Sequence, residues 1–296
     1  MNFMRLSGMA SWTRFWPPEM KTALLQITSS DDPEANLTMV RDMVRDAAGQ
    51  GAGFVLTPEV TNCVSTKRSH QEEVLALQDD DAFLAAMREE AKSLDIWLLL
   101  GSLAMKTGDA DGRFANRSFL ISPDGEIAGW YDKIHMFDVE VSAEETYRES
   151  AGYRPGDRAV VVDTGWSKIG MSVCYDIRFP ALYRVLAHAG ARILTIPAAF
   201  SPVTGAAHWE PLLRARAIET GCFVLAPAQV GTHPAQAGKP RKTYGHAMAI
   251  APWGEVLLDA GTDTGIFMVD LDLDEVDKAR RRVASLTHDR EYTLVP

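Results

Sequence analysis

The chain is poor in cysteine, with three residues at 63, 174 and 222, an odd number with no paired spacing. That argues against a disulfide framework and for a reducing compartment, so a cytoplasmic protein is expected. No apolar run reaches the ~18 residues of a membrane span, and Arg5 is followed by no continuous apolar segment suited to a signal peptide. An excess of positive charge is also missing: 40 Asp and Glu against 30 Lys and Arg give a formal net charge of -10. Nucleic acid and anionic membrane are therefore disfavoured as partners, because both require a basic surface. The seven histidines lack metal-ligand spacing, so no metal or other cofactor is expected. Gly49, Gly51 and Gly53 precede their strand instead of following one, which is not a dinucleotide fingerprint.

What the chain has in quantity is apolar material arranged in alternation. Hydrophobic residues are 46% and charged residues 24% of 296 positions, enough for one large α/β domain with an extensive core. Length alone would allow two domains, but βα alternation crosses the middle with no linker-like stretch. The pattern predicts strands near 21–28, 53–57, 96–101, 115–122, 126–131, 159–163, 168–173, 192–197, 223–228, 245–251, 255–259 and 264–271. It predicts helices near 33–50, 80–94, 179–189, 207–220 and 274–282. Residues 1–19, with Trp12, Phe15, Trp16, Pro17 and Pro18, read as an extension outside a single domain over 20–296.

Three segments place chemistry at strand ends. Ile169 to Val173 is a short apolar strand, and Asp176 to Pro180 opens a helical stretch through Leu182, Val185, Leu186 and Ala189. Cys174 therefore sits on a strand-to-helix turn, where a side chain projects into a pocket shared with backbone N–H groups. The bland alternative is a buried structural cysteine, a common fate of this residue type. Glu59 closes the apolar run Gly53 to Pro58, at the edge where open α/β sheets bind ligands. Lys133 follows the strand Glu126 to Tyr131. Taken singly, Glu59 and Lys133 would be ordinary solvated charges.

Together these segments resemble the nitrilase superfamily, the carbon-nitrogen hydrolases, over about 21–292. Glu59, Lys133 and Cys174 match its Glu-Lys-Cys triad. The likeness includes Tyr-Arg-Glu-Ser around Glu149, Cys-Tyr-Asp-Ile-Arg-Phe-Pro at 174–180 and Thr-Gly-Ala-Ala-His-Trp-Glu at 204–210. It continues through Leu-Leu-Arg-Ala-Arg-Ala-Ile-Glu at 212–219, Tyr-Gly-His at 244–246 and Pro-Trp-Gly-Glu at 252–255. The wording is similar to the branch that holds deaminated glutathione amidase and omega-amidase. Tyr175-Asp176 stands where true nitrilases usually have Trp-Glu, which points to an amide substrate. The resemblance implies a four-layer α-β-β-α sandwich, a small-molecule amide substrate and a homodimer or higher homo-oligomer.

It also implies a mechanism. A free thiol has a pKa near ~8.5, so attack on an amide needs a base, here Glu59. With Glu149 ionised and Lys133 positive, moving the cysteine proton onto Glu59 leaves one net negative charge instead of two. Glu59 then protonates the leaving nitrogen and later deprotonates the water that opens the thioester. Lys133 and the backbone N–H of Tyr175 would stabilise the oxyanion. Glu149, at the fourth matching position, would hold Lys133 or the substrate amide; otherwise it is one acid among Glu140, Glu144 and Glu145 in a solvated loop.

Substrate contacts are expected from Arg178, Phe200 and Thr204. Arg178 lies four residues beyond Cys174, about one helical turn on and on the same side, where it could grip a carboxylate; alternatively it caps a helix or pairs with Asp176. Phe200 would form a pocket wall and Thr204 supply a hydroxyl. Lys239, Arg241 and Lys242 sit in the Gly/Pro-containing loop 231–243 and read as a mobile loop, not a binding site. Cys63 and Cys222 read as structural, and His208 as a structural hydrogen-bonding group. The expected reaction is hydrolysis of deaminated glutathione to 2-oxoglutarate and cysteinylglycine. Its alternatives are an omega-amidase acting on 2-oxoglutaramate, or a catalytically idle member that binds a small ligand or a protein.

Overall fold

The computed structural model describes residues 19–140 and 146–295. In chain order the first half runs β1 (Glu19–Gln26), α1 (Pro33–Gly49), β2 (Phe54–Leu56), α2 (Arg68–Val74), α3 (Ala82–Leu94), β3 (Trp97–Lys106), β4 (Phe114–Ile121) and β5 (Ile127–Asp132). A small hairpin, β6 (Asp138–Glu140) and β7 (Thr146–Arg148), leads to the second half. There follow β8 (Val160–Asp163), β9 (Lys168–Met171), α4 (Pro180–His188), β10 (Ile193–Thr195), α5 (Pro202–Thr220) and β11 (Phe223–Ala226). The remainder is β12 (Val230–Thr232), β13 (Lys242–Tyr244), β14 (Met248–Ile250), β15 (Val256–Asp259), β16 (Gly265–Asp272) and α6 (Asp274–Arg282).

Two six-stranded sheets result, ordered β16-β1-β2-β3-β4-β5 and β15-β14-β11-β10-β9-β8. Side-chain alternation explains why they stack. Leu24, Leu56, Trp97 and Leu99 share a core with Ile169, Met171, Ile193 and Leu225 of the other sheet. Their neighbours Ala23, Leu25, Val55, Leu98 and Leu100 point the opposite way, onto Val40 and Val44 of α1 and Phe83 and Met87 of α3. Leu182 and Leu186 of α4 and Trp209 and Leu213 of α5 join the first core from the outer side of the second sheet. This is the expected α-β-β-α sandwich.

The differences from expectation are local. Glu19 already pairs with Asp272, so the sheet begins one residue inside the supposed extension, while residues 1–18 lie outside the described residues. Helix α5 starts at Pro202, five residues earlier than predicted, with proline in its first turn. The two short hairpins, β6-β7 and β12-β13, and helix α2 escaped the periodicity, being short and largely polar.

Candidate active site

Cys174 follows β9 and begins a tight 3-10 turn over Cys174–Arg178. Its φ is +49°, a left-handed conformation that costs a non-glycine residue about 1 kcal/mol and needs support from its surroundings. Asp176 gives that support. Its Oδ2 accepts from Val173 N at 2.8 Å and from the Tyr131 hydroxyl at 2.7 Å, while Oδ1 accepts from His135 N at 3.0 Å. One buried carboxylate thus ties the cysteine turn to residues on both sides of Lys133. The Cys174 N–H donates to Pro197 O at 3.0 Å.

Lys133 is 2% exposed. Its Nζ lies 2.9 Å from Glu59 Oε1 and 2.9 and 2.8 Å from the two carboxylate oxygens of Glu149. Burial pulls this ammonium down, but the negative charges of Glu149 and Glu59 outweigh it and hold the pKa well above the usual lysine value. Glu149 is no solvated loop acid: its Oε2 also accepts from Phe137 N at 2.6 Å. Glu59 Oε2 accepts from Ala199 N at 2.8 Å, turning the carboxylate's other oxygen toward a different wall.

Burial alone would raise the Glu59 carboxyl, yet the charges of Lys133 and Arg241 and hydrogen bonds from Lys133 and Cys174 bring it down to about 2. Burial raises the Cys174 thiol well above its ordinary value, the Glu59 charge raises it further, and Lys133 opposes both. At rest the proton therefore sits on sulfur, beside an ionised Glu59. The expected single net negative charge is corrected by Arg241, which makes the cluster of Cys174, Glu59, Glu149, Lys133 and Arg241 neutral.

These groups line a cavity of about 490 Å³, walled by Phe137, Tyr147, Tyr175 and Phe200, with Thr204 and Arg241 also facing it. Arg178 is not among its lining residues. The turn after Cys174 is 3-10, three residues per turn, so a fourth residue is rotated away from the first. Its guanidinium lies 5.8 Å from the Tyr175 ring, 5.5 Å from the Phe200 ring and 3.3 Å from His208 Nδ1. His208 is exposed and off the cavity. No group of three or more metal-ligating side chains occurs among the described residues.

Two site residues escaped the sequence. Asn116 donates from Nδ2 to Glu59 Oε1 at 2.9 Å and to Glu149 Oε1 at 3.3 Å, bridging the carboxylates. Its only trace in the sequence is an amide inside an apolar strand. Arg241 enters from the loop expected to be mobile, which is instead fastened: Asp31 accepts from Gln236 N and Ala237 N, and Lys239 N donates to Thr66 Oγ1.

His233 fastens the same loop and sets a pH dependence. It is 1% exposed, with Nδ1 2.7 Å from Ser29 O and Nε2 2.8 Å from Thr243 Oγ1. Burial, opposed by the Ser29 carbonyl and aided by the Arg241 charge, lowers its pKa to about 4. Between about pH 6.5 and 4 the unfolded chain takes up a proton that the folded protein refuses, so stability falls as pH drops through that window. The loss reaches roughly 3 kcal/mol. Urea unfolding of wild type and His233→Gln at pH 7 and 4.5 should show a smaller acid loss in the variant; equal losses would contradict the assignment.

A carbon-nitrogen hydrolase family model matches residues 21–281. The chain belongs to the carbon-nitrogen hydrolases. It is 38% identical over 280 residues, 93% of this chain and 94% of the relative, to deaminated glutathione amidase of Yersinia enterocolitica. It is 36% identical to the human protein of the same name over 90% of this chain and 81% of that relative. Among solved structures, the NitFhit protein of C. elegans superposes with a TM-score of 0.85 at 34% identity. That match covers 92% of this hydrolase and 65% of the longer fusion chain. An amidase from Nesterenkonia sp. superposes at 0.71 with 26% identity, over 90% of this chain and 95% of that one. This hydrolase is an amidase of the nitrilase superfamily, which sets aside the idle-member alternative. No helix among the described residues is long and apolar enough to cross a membrane.

Proposed function

We propose that the chain hydrolyses deaminated glutathione to 2-oxoglutarate and cysteinylglycine through a thioester on Cys174. The observation that carries this reading is the Cys174 thiol sharing one cavity with Glu59, whose carboxyl is held low, beside an ammonium held by two carboxylates. As sulfur attacks the amide carbon, Glu59 takes the thiol proton and the carbonyl π electrons move to oxygen. Lys133 and the Tyr175 N–H stabilise that oxyanion. Collapse breaks the C–N bond, and Glu59 gives its proton to the departing nitrogen. Water then attacks the thioester, losing its proton to Glu59, which returns it to the sulfur as the acid leaves. Glu149 and Asn116 act by position: they hold Lys133 and Glu59 in place through hydrogen bonds while the charge shifts. Phe200, Tyr175 and Thr204 wall the acyl group.

The names of the relatives support the larger substrate, as does a cavity bordered by Tyr147 and Arg148 of β7 and by Arg241 of the loop 231–243. Three unpaired buried thiols fit a reducing cytoplasm, and exposed Val185, Val203 and Ile218 on α4 and α5 fit a homo-oligomer. The test combines kinetics and trapping. Catalytic efficiency for deaminated glutathione should exceed that for 2-oxoglutaramate, and acid quenching during turnover should leave a 2-oxoglutaryl mass on the peptide containing Cys174. A preference for 2-oxoglutaramate would make the protein an omega-amidase; no adduct at Cys174 would overturn the thioester.

A further inference from the structure

Four cations line the cavity, and three are already engaged. Lys133 is shared by Glu59 and Glu149. Arg68 meets Glu72 at 2.9 Å and donates to the carbonyls of Gly112 and Ala151. Arg148 meets Glu140 at 2.8 Å. Arg241 has no carboxylate at ion-pair distance among the described residues. Its Nη2 donates to Ala199 O at 2.7 Å, and its Nε is buried with no hydrogen-bond partner. A guanidinium offers five N–H donors in a planar fork, and a buried donor left unpaired is costly. An anion supplied by the substrate would remove that cost.

The position of Arg241 says which end of the substrate would supply it. The two oxygens of Glu59 face different walls: Oε1 meets Lys133, whereas Oε2 meets Ala199 N. Arg241 is fixed to the carbonyl of that same Ala199 and lies 6.0 Å from the Tyr147 ring. It therefore lies along the Ala199 segment, the wall that the second Glu59 oxygen faces. The oxyanion forms toward Lys133, and Glu59 hands its proton to the leaving nitrogen, so the departing amine extends toward Arg241. The fastening of residues 236 to 239 onto Asp31 and Thr66 holds this arginine in place before substrate arrives, which limits the entropy lost on binding.

We infer that Arg241 binds a carboxylate carried by the departing amine, so that the site selects N-substituted amides whose leaving group is a small anionic amine, such as a peptide with a free carboxy terminus. This rests on the amidase mechanism proposed above, with Glu59 as the acid. It adds a carboxylate contact on the leaving-group side, separate from the acyl-side carboxylate that the sequence placed on Arg178.

A cycle between enzyme and substrate tests it. The probes are 2-oxoglutaryl-cysteinylglycine with a free carboxy terminus and the same compound capped as a carboxamide, each assayed with wild type and with Arg241→Gln. The wild type should prefer the free acid by about 30-fold in kcat/KM, the range expected for a charge-assisted pair. The preference should shrink to within about threefold in Arg241→Gln, leaving the two changes strongly non-additive. Equal turnover of both probes by the wild type overturns the inference alone, and this comparison needs no variant. A preference that survives in Arg241→Gln also overturns it, since another group would then hold the carboxylate. Cleavage of neither probe by the wild type overturns the amidase mechanism and this inference together.

Discussion

Cys174→Ala should fold and bind but lose turnover by about 10⁵-fold or more, the scale seen when a covalent nucleophile is removed from an otherwise intact site. The fold should survive because the turn is held by the backbone N–H of residue 174 on Pro197 O and by Asp176, not by sulfur. Alanine tolerates the positive φ no worse than cysteine, both having a Cβ. The contrast with the other thiols sharpens the expectation. Cys63 lines the same cavity, but burial and the neighbouring charges of Asp31 and Asp32 push its thiol up to about 12, and its hydrogen-bond partner is the Asp31 carbonyl. Burial raises Cys222 as well, and it too has no carboxylate base. All three thiols are protonated at rest; only Cys174 adjoins a group that can take the proton during attack. Iodoacetamide followed by peptide mass spectrometry should therefore modify Cys174 first. Measurable turnover in folded Cys174→Ala, or preferential labelling of Cys63, would defeat the assignment.

How far the sequence could be read depended on whether a residue's partner was local. Glu59, Lys133 and Cys174 each follow an apolar strand, so the strand end announces where the side chain emerges. The sandwich followed from the resemblance, since periodicity showed only α/β alternation; that successive residues of β1 and β3 enter opposite cores became visible only in the structure. Arg178 was read at α-helical spacing, while the turn after the cysteine is 3-10 and leaves its guanidinium behind the Tyr175 and Phe200 rings that line the cavity. Arg241 was hidden for a different reason. Nothing near it in sequence is apolar or periodic; its position comes from Asp31, Thr66 and Ala199, far away along the chain. Asn116 was likewise invisible, since a single amide in an apolar strand has meaning only once two carboxylates converge on it. Asp176 was read as a possible partner for Arg178, yet it spans the cysteine turn and the Lys133 segment, a contact between two sheets that no local pattern encodes.

Lys133→Met should lower kcat by about 10³-fold or more, since it removes an oxyanion donor and with it the charge that keeps the base ionised. The second effect decides how the variant behaves with pH. Burial is the largest influence on Glu59 and acts upward; Lys133 is the largest one acting downward. With methionine in place, only Arg241 and the Cys174 thiol are left to oppose burial, so the Glu59 carboxyl should move up and hold its proton at higher pH. A protonated Glu59 cannot accept the thiol proton, and the acid limb of the rate profile should shift upward. Stability should change in the same sense. Two carboxylates sharing a buried space without their ammonium cost roughly 3 to 5 kcal/mol. That cost is present while Glu59 is ionised and is relieved as pH falls and Glu59 protonates. The variant should therefore gain stability relative to wild type on acidification. Adding Glu149→Gln to Lys133→Met removes one of the stranded charges and should restore part of the stability without restoring the rate. Urea unfolding and rate profiles across pH 4 to 8, measured on wild type and both variants, separate these effects. Near-normal kinetics in folded Lys133→Met would show that the ammonium does not hold the oxyanion, and an acid limb that does not move would show that it does not set the charge of the base.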